Sequence, residues 1–408
     1  MKIGGRYLLV VAAMCGLSAA TVGLLTNVAG LFFTPMADEF GVMRGSASLT
    51  LTIANICVAL GGLTTRKMTK LLPLRMLLLI CAAVMAGSTF AMSIAPNMFM
   101  EYVLSATRGL AGGCMGFVLI TYVLNKWFVA QLGLATSIAM GFSGVAGALF
   151  TPIIQPVVEG SGWRAGFVLV AALQAALCIP AILLVPSTDP TDVGLRPFGL
   201  AENKETVSAH HDKSKPVQID KLVYIGVVGY AVCSAAATAV SQHFPGYATE
   251  AGLAAATGAA MISACMLANT AGKIVMGWLT DRVGALKSIF LYTVIVAAAT
   301  VALMVLRIPI IFVIAAFFFG LCYGRATVGL TMMCRELFGK RGFGIVYPVA
   351  ALGTSISNAI FSAAVGYAYD ITGSYIPSMV LILVLMIASL VLTLWCYRRA
   401  VMGTGHAE

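Results

Sequence analysis

The sequence predicts an all-α membrane protein whose twelve transmembrane helices form two pseudo-symmetric six-helix bundles. Three observations carry that expectation. Of 408 residues, 60% are hydrophobic and 10% are charged, whereas a soluble domain carries roughly 25% charge. Water is therefore not the main solvent. Apolar runs of about 20 residues recur along nearly the whole length, each enough to cross a hydrocarbon core of about 30 Å at 1.5 Å per residue. A short charged segment located after the second run returns after the eighth, 216 residues later.

Bounded by charges, proline and glycine, the runs place helices at 6–33, 46–65, 74–94, 98–126, 131–156, 164–185, 221–242, 253–279, 286–306, 308–334, 342–367 and 375–397. Lys2 and Arg6 before the first run also suit a secretory leader, but the stretch continues past Cys15 to Phe33 and is too long for a leader's apolar core. An uncleaved first helix is the simpler reading. One long polar segment, rich in Pro, Asp, Lys and Ser, divides the helices six and six. It gives an N-terminal bundle over 1–185, a linker over 186–220 and a C-terminal bundle over 221–408. The linker buries too little apolar surface to fold alone and is expected to be mostly disordered. His210 and His211 lie in it, and a metal role for them has little support.

The net charge of +10 would suggest nucleic acid in a soluble protein, but here the basic residues sit in short loops between helices. No nucleic-acid partner is expected. Most Lys and Arg fall on the side that holds both termini, while Arg44, Arg164 and Arg307 fall on the other. That bias predicts cytoplasmic termini in a bacterial inner membrane, with lipid as the surrounding partner. The ten cysteines are scattered singly through apolar segments without a CxxC, so they read as small core residues. No catalytic triad, HExxH or GxxxxGK[ST] phosphate loop is present. No enzyme, cofactor or metal is expected, and ATP is not the energy source.

The recurring segment reads "GGLTTRKMTKLLPLR" from Gly61 and "GWLTDRVGALK" from Gly277, so that Leu63, Thr64 and Arg66 match Leu279, Thr280 and Arg282. Two further anchors, "NKWF" from Asn125 with "RELF" from Arg335 and "GW" from Gly162 with "SY" from Ser374, agree at offsets of 210 and 212. Duplicated halves mark many transporters. The second copy, G-x-L-x-D-R-x-G, resembles the signature loop of the major facilitator superfamily. The first departs from it, with Thr65 at the Asp position and Met68 at the Gly position. "GLFFTPMADEFGVMRG", "NKWFVAQLGLATSIAMGFSGVAGALFTP", "GWR" and "DPTDVGLRPFG" further resemble the bacterial monocarboxylate-porter and oxalate/formate-antiporter branch.

The resemblance implies the major facilitator fold, alternating access and a monomer. It also implies that Gly277, Asp281, Arg282 and Gly284, with Arg66 in the first copy, act as a conformational latch at the cytoplasmic turn. The first and fourth helices of each half would line a central cavity.

Three cations lie inside predicted helices: Arg108, Lys273 and Arg325. Each costs about 2.5 to 3.5 kcal/mol at the bilayer centre and needs a polar cavity, a partner or a ligand. No acid lies deep in any span; Glu101 is about one turn into the fourth helix and Glu336 at the inner end of the tenth. An anion is the natural partner of such an interior. Lys273 resembles the branch's eighth-helix cation, usually Arg, that pairs with the substrate carboxylate. Its alternative is to snorkel to the inner surface. Asn269 shares its face one turn earlier. Arg108 either serves a ligand or gate or bonds neighbouring helices. Arg325, near Tyr323 and Thr327, is a third substrate candidate. The eleventh helix has no second cation and offers Ser355, Asn358 and Ser362 on one face, which disfavours a dicarboxylate such as oxalate. Asn27 and Thr26 are further candidates, with helix packing as their alternative. Gly109, Gly113 and Gly116, and Gly141, Gly144 and Gly147, read as close-packing stripes. Gln242 and His243 are placed at the membrane interface, with gating or proton binding as the alternative.

The function expected is secondary transport of a small organic anion, most simply a monocarboxylate, either with a proton as coupling ion or by anion exchange. Efflux of drugs or amphiphiles is the rival within transport, and a transporter-like receptor or sensor is the rival outside it.

Overall fold

The computed structural model describes residues 5–129, 131–185, 187–199 and 220–404, so His210 and His211 lie outside the described residues. The chain is helical almost throughout. The first crossing is α1 (Gly5–Ser18), continued by a π-helical stretch over Ala19–Asn27; α2 (Gly30–Phe40) extends it. Next come α3 (Arg44–Leu71), α4 (Leu74–Met92), the fourth crossing as α5 (Met98–Met115) and α6 (Phe117–Trp127), and α7 (Leu132–Leu184). The second half contains α8 (Lys221–Val240), α9 (Phe244–Glu250), α10 (Ala255–Val283), α11 (Ala285–Val305), α12 (Pro309–Phe319), α13 (Cys322–Gly324), a π-helical stretch over Arg325–Gly329, α14 (Leu330–Thr372) and α15 (Ile376–Thr404).

Eleven stretches among the described residues are long and apolar enough to cross a membrane. One of them, Leu134–Leu184, has 51 residues and would extend about 76 Å if straight. It is two crossings. Gly162 breaks it with φ 84° and ψ 163°, a conformation open to glycine and strained for other residues. Twelve crossings result. Gly339, at φ 61°, likewise separates the tenth and eleventh crossings inside α14. Where the sequence suggested loops at these two places, a single glycine makes the turn.

Apolar side chains such as Phe99, Val305, Ile310 and Ile371 stand exposed around the outside, as expected of a surface solvated by lipid. Helix association in lipid rests on close packing, and the glycine stripes provide it. Gly109 and Gly113 lie against the backbone of Ala54 and Val58 in the second crossing. Gly144 brings the fifth crossing onto the eighth: a Cβ there would overlap Thr270 Oγ1 and stand 2.8 Å from the Met266 carbonyl. Gly144→Val is expected to cost about 1 to 3 kcal/mol by overpacking, read as a lower thermal midpoint of the purified protein.

Asp220 Oδ2 accepts from Arg399 Nε at 2.7 Å, and the Tyr7 hydroxyl donates to the Arg196 carbonyl at 2.6 Å. Both ends of both halves thus share one face, here called the terminal face. The first part of the segment expected to be disordered, 187–199, is ordered against it. Phe198 N donates to the Trp127 carbonyl at 2.8 Å, Val129 N donates to the Phe198 carbonyl at 2.9 Å, and Lys126 pairs with Asp189 at 3.2 Å. Phe198 sits among Tyr7 and Phe128, an apolar anchor that composition alone hides.

Candidate functional site

On the face away from the termini the two halves are joined by a polar and aromatic network. Asp370, at the end of the eleventh crossing, accepts from the backbone N–H groups of Arg44 at 3.0 Å and Gly45 at 2.8 Å. A carboxylate from one half thereby caps the positive end of the second crossing in the other. Arg44 in turn lies 4.2 Å over the Tyr369 ring and donates to the Tyr375 hydroxyl at 3.3 Å. Ser46 and Tyr367 share a hydrogen bond at 3.3 Å. His243 is buried beside Phe33, with Nε2 2.9 Å from the Ser362 carbonyl. It therefore belongs to this inter-half contact and not to the membrane surface.

A polar layer lies below the seal. Asn55 Nδ2 donates to Asn358 Oδ1 at 3.2 Å, and Asn358 Nδ2 donates to Thr238 Oγ1 at 2.7 Å. The Tyr323 hydroxyl donates to the Thr238 carbonyl at 3.2 Å and lies 2.9 Å from Ser241 Oγ. The second, seventh, tenth and eleventh crossings are thus joined. Asn27 donates to the Ser143 carbonyl at 2.9 Å, tying the first crossing to the fifth. Asn269 is 2% exposed and its Oδ1 has no partner among the described residues. Of the predicted site residues, Asn358 and Tyr323 enter the layer, while Ser355 stays exposed and bonds only its own helix at Ala351. Asn55, Thr238 and Ser241 were not foreseen; single small polar residues in a span carry no distinguishing signal.

Toward the terminal face the fifth and eighth crossings part around a cavity of about 450 Å³. Leu134, Ile138, Phe142 and Val145 line one wall at helical spacing, and Thr270, Lys273 and Ile274 line the other. Thr270 Oγ1 donates to the Gly141 carbonyl at 2.9 Å and joins the two walls of the cavity. Lys273 is half-buried here, and no described carboxylate forms an ion pair with it. A single ammonium in a largely apolar chamber can hold one anionic group by charge and leave room for an apolar body.

The other two interior arginines lie elsewhere. Arg325 is fully buried and turned into the C-terminal bundle, where Nη1 donates to Ser389 Oγ at 2.6 Å and Thr293 Oγ1 at 3.3 Å. Its carbonyl accepts from Tyr230 at 2.8 Å. It does not line the cavity with Lys273, contrary to the sequence expectation of substrate contact. The π-helical stretch that begins at Arg325 adds a residue to the turn and rotates the side chains beyond it. Arg108 is 4% exposed. It faces a pocket of about 10 Å³ within the N-terminal bundle, walled by Leu24, Val28, Phe32, Thr50 and Phe167, room for one water-sized group. The three cations therefore do not converge.

At the signature turn Gly284 has φ 84°. Arg282 lies 4.2 Å over the Trp278 ring, while Asp281 is exposed and Gly277 has open space beside it. Glu336 holds the turn instead: Oε1 accepts from Ala285 N at 2.9 Å, and Oε2 accepts from the Tyr397 hydroxyl. The side chain of Arg66 lies outside the described residues.

Two helical bundles, joined by a network on one face and flanking a cavity nearer the other, have the architecture of a membrane transporter. The model of the Major Facilitator Superfamily matches residues 15–357 and 226–406, and the chain belongs to that family. Among curated proteins it is similar to monocarboxylate transporter 13 of Rattus norvegicus, at 22% identity over 92% of this chain and 86% of that one. It is also similar to monocarboxylate transporter 12-B of Danio rerio, at 24% identity over 91% and 83%. Among solved structures, the nucleoside transporter NupG superposes with a TM-score of 0.72 at 12% identity, covering 97% of this chain and 99% of that one. That likeness concerns the fold.

Proposed function

We propose that the chain is a secondary transporter of a small organic anion, a monocarboxylate with an apolar body, working by alternating access. The observation that carries this reading is Lys273, an ammonium without an ion-pair partner among the described residues, in a cavity otherwise lined mainly by apolar side chains. Relatives named as monocarboxylate transporters support it. One cation suits one carboxylate; the eleventh crossing supplies no second cation over 342–367 for a dicarboxylate. Lysine acts as a point charge without the bidentate fork of arginine, which suits a ligand whose remaining atoms are positioned by shape.

On this reading the terminal face, which carries the excess of Lys and Arg, faces the cytoplasm of a bacterial inner membrane. The arrangement described is then open inward and sealed outward. Asp370 and its partners form the outer gate, and Asp281, exposed in this state, finds its latch partner when the terminal face closes. Efflux of amphiphilic organic compounds is the second reading, carried by the same apolar wall. Purified protein in proteoliposomes, supplied with labelled lactate, pyruvate or an amphiphilic cation, tests both. Saturable uptake of a carboxylate supports the proposal; transport of the cation alone overturns it.

A further inference from the structure

We propose that Glu101 is the proton-binding site of this carrier, becoming a neutral acid and an ionised carboxylate in turn during the cycle. This rests on the organic-anion reading and names the group that couples the anion to protons.

Glu101 lies in the first turn of α5 and is 0% exposed. Neither carboxylate oxygen accepts a hydrogen bond from any described residue. An ionised carboxylate buried in this way is costly, whereas the neutral acid is far less so. Such a residue is poised between two states. Ser105 and Arg108 lie at i+4 and i+7 on the same helix face, and Ser105 Oγ and Arg108 Nε are likewise buried without partners among the described residues. A polar seam thus descends the interior of the N-terminal bundle toward the small cavity that Arg108 faces.

The charged groups that act on Glu101 are Arg108 from its own helix and Arg164 from the sixth crossing. Arg164 is already committed. Its Nη2 pairs with Glu39 Oε1 at 2.9 Å, and its Nη1 donates to the Ser93 and Ala95 carbonyls at 3.0 Å each. The charged residues of the other packed elements lie at their ends: Arg6 on the first crossing, Arg75 on the third, and on the second Arg66, Lys67 and Lys70 at one end and Arg44 at the other, the last engaged with Tyr369 and Tyr375. Tyr102, beside Glu101 in sequence, donates to the Ser46 carbonyl.

Arg108 is therefore the one cation, among the described residues, whose balance Glu101 sets. With Glu101 ionised the two charges offset each other. When a proton binds the carboxylate, the positive charge of Arg108 is left uncompensated and adds to the positive potential of the interior, which favours an anion in the separate cavity that Lys273 lines, so that proton and anion are taken up together. No covalent bond changes other than the O–H bond of the acid.

The test compares wild type, Glu101→Gln and Glu101→Asp. In infrared difference titration of the purified proteins, the wild type is expected to show a titrating buried carboxyl band that Glu101→Gln lacks. In proteoliposomes with labelled lactate and pyruvate, an external acid gradient is expected to accelerate wild-type and Glu101→Asp uptake several-fold. Glu101→Gln is expected to lose that acceleration while retaining measurable exchange of labelled for unlabelled anion. A gradient response in Glu101→Gln equal to that of wild type overturns the proposal. If wild type carries neither probe, the organic-anion reading fails separately and the infrared titration decides: an identical band in wild type and Glu101→Gln overturns the assignment of the proton to Glu101.

Discussion

Replacing Lys273 by alanine is expected to abolish concentrative uptake of the carboxylate substrate while leaving the fold intact. Lys273 is half-buried and lines the cavity of about 450 Å³, so its removal leaves a bound carboxylate without its counter-charge. Truncating one partner of a buried charge pair costs about 2 to 5 kcal/mol, roughly 30-fold or more in apparent affinity. The ammonium forms no ion pair with any described residue, so the protein itself loses no salt bridge, and the thermal midpoint is expected to stay within a few degrees. Lys273→Arg keeps the charge and is expected to retain transport with altered selectivity, because the planar fork favours bidentate carboxylate geometry. Uptake and thermal melting of the three proteins, measured together, check all of this.

Replacing Asp370 by alanine is expected to release the outer gate. Its carboxylate accepts two backbone N–H groups across the halves, and hydrogen bonds to a charged group contribute about 1.5 to 3 kcal/mol each. Loss of even one such bond shifts the balance between sealed and open states by about 10-fold to 150-fold. The rate at which a membrane-impermeant maleimide labels Ser46→Cys measures the shift, since Ser46 lies inside the seal against Tyr367. Faster labelling with Asp370→Ala is the expected result. An unchanged rate shows that the aromatic contacts of Arg44 hold the gate without the carboxylate.

The crossings and the recurring charged turn were legible because each rests on local composition: long apolar runs and a short charged segment that returns. The polar segment between the halves was legible by its composition, but not the packing of Phe198 within it against Tyr7 and Phe128. Lys273 was legible by its distance from Gly277. The gate was not. Asp370 and Arg44 are 326 positions apart, and each looks alone like an ordinary charge at a helix end. Glu336 was read as an acid at the inner end of the tenth helix, yet it caps the ninth through Ala285. Arg325 was legible as an interior cation, but its direction depends on a π-helical turn that leaves no periodic trace over five residues. Glu101 was noted for its position near a helix end and not for its burial, because depth along a span does not reveal which neighbours cover a side chain.

The most direct test of the account is saturation binding of labelled lactate and pyruvate to the purified protein, with wild type and Lys273→Ala side by side. Saturable binding of a carboxylate to wild type, weakened by about 30-fold or more in Lys273→Ala, is the expected result. Equal saturable binding by both proteins would contradict it.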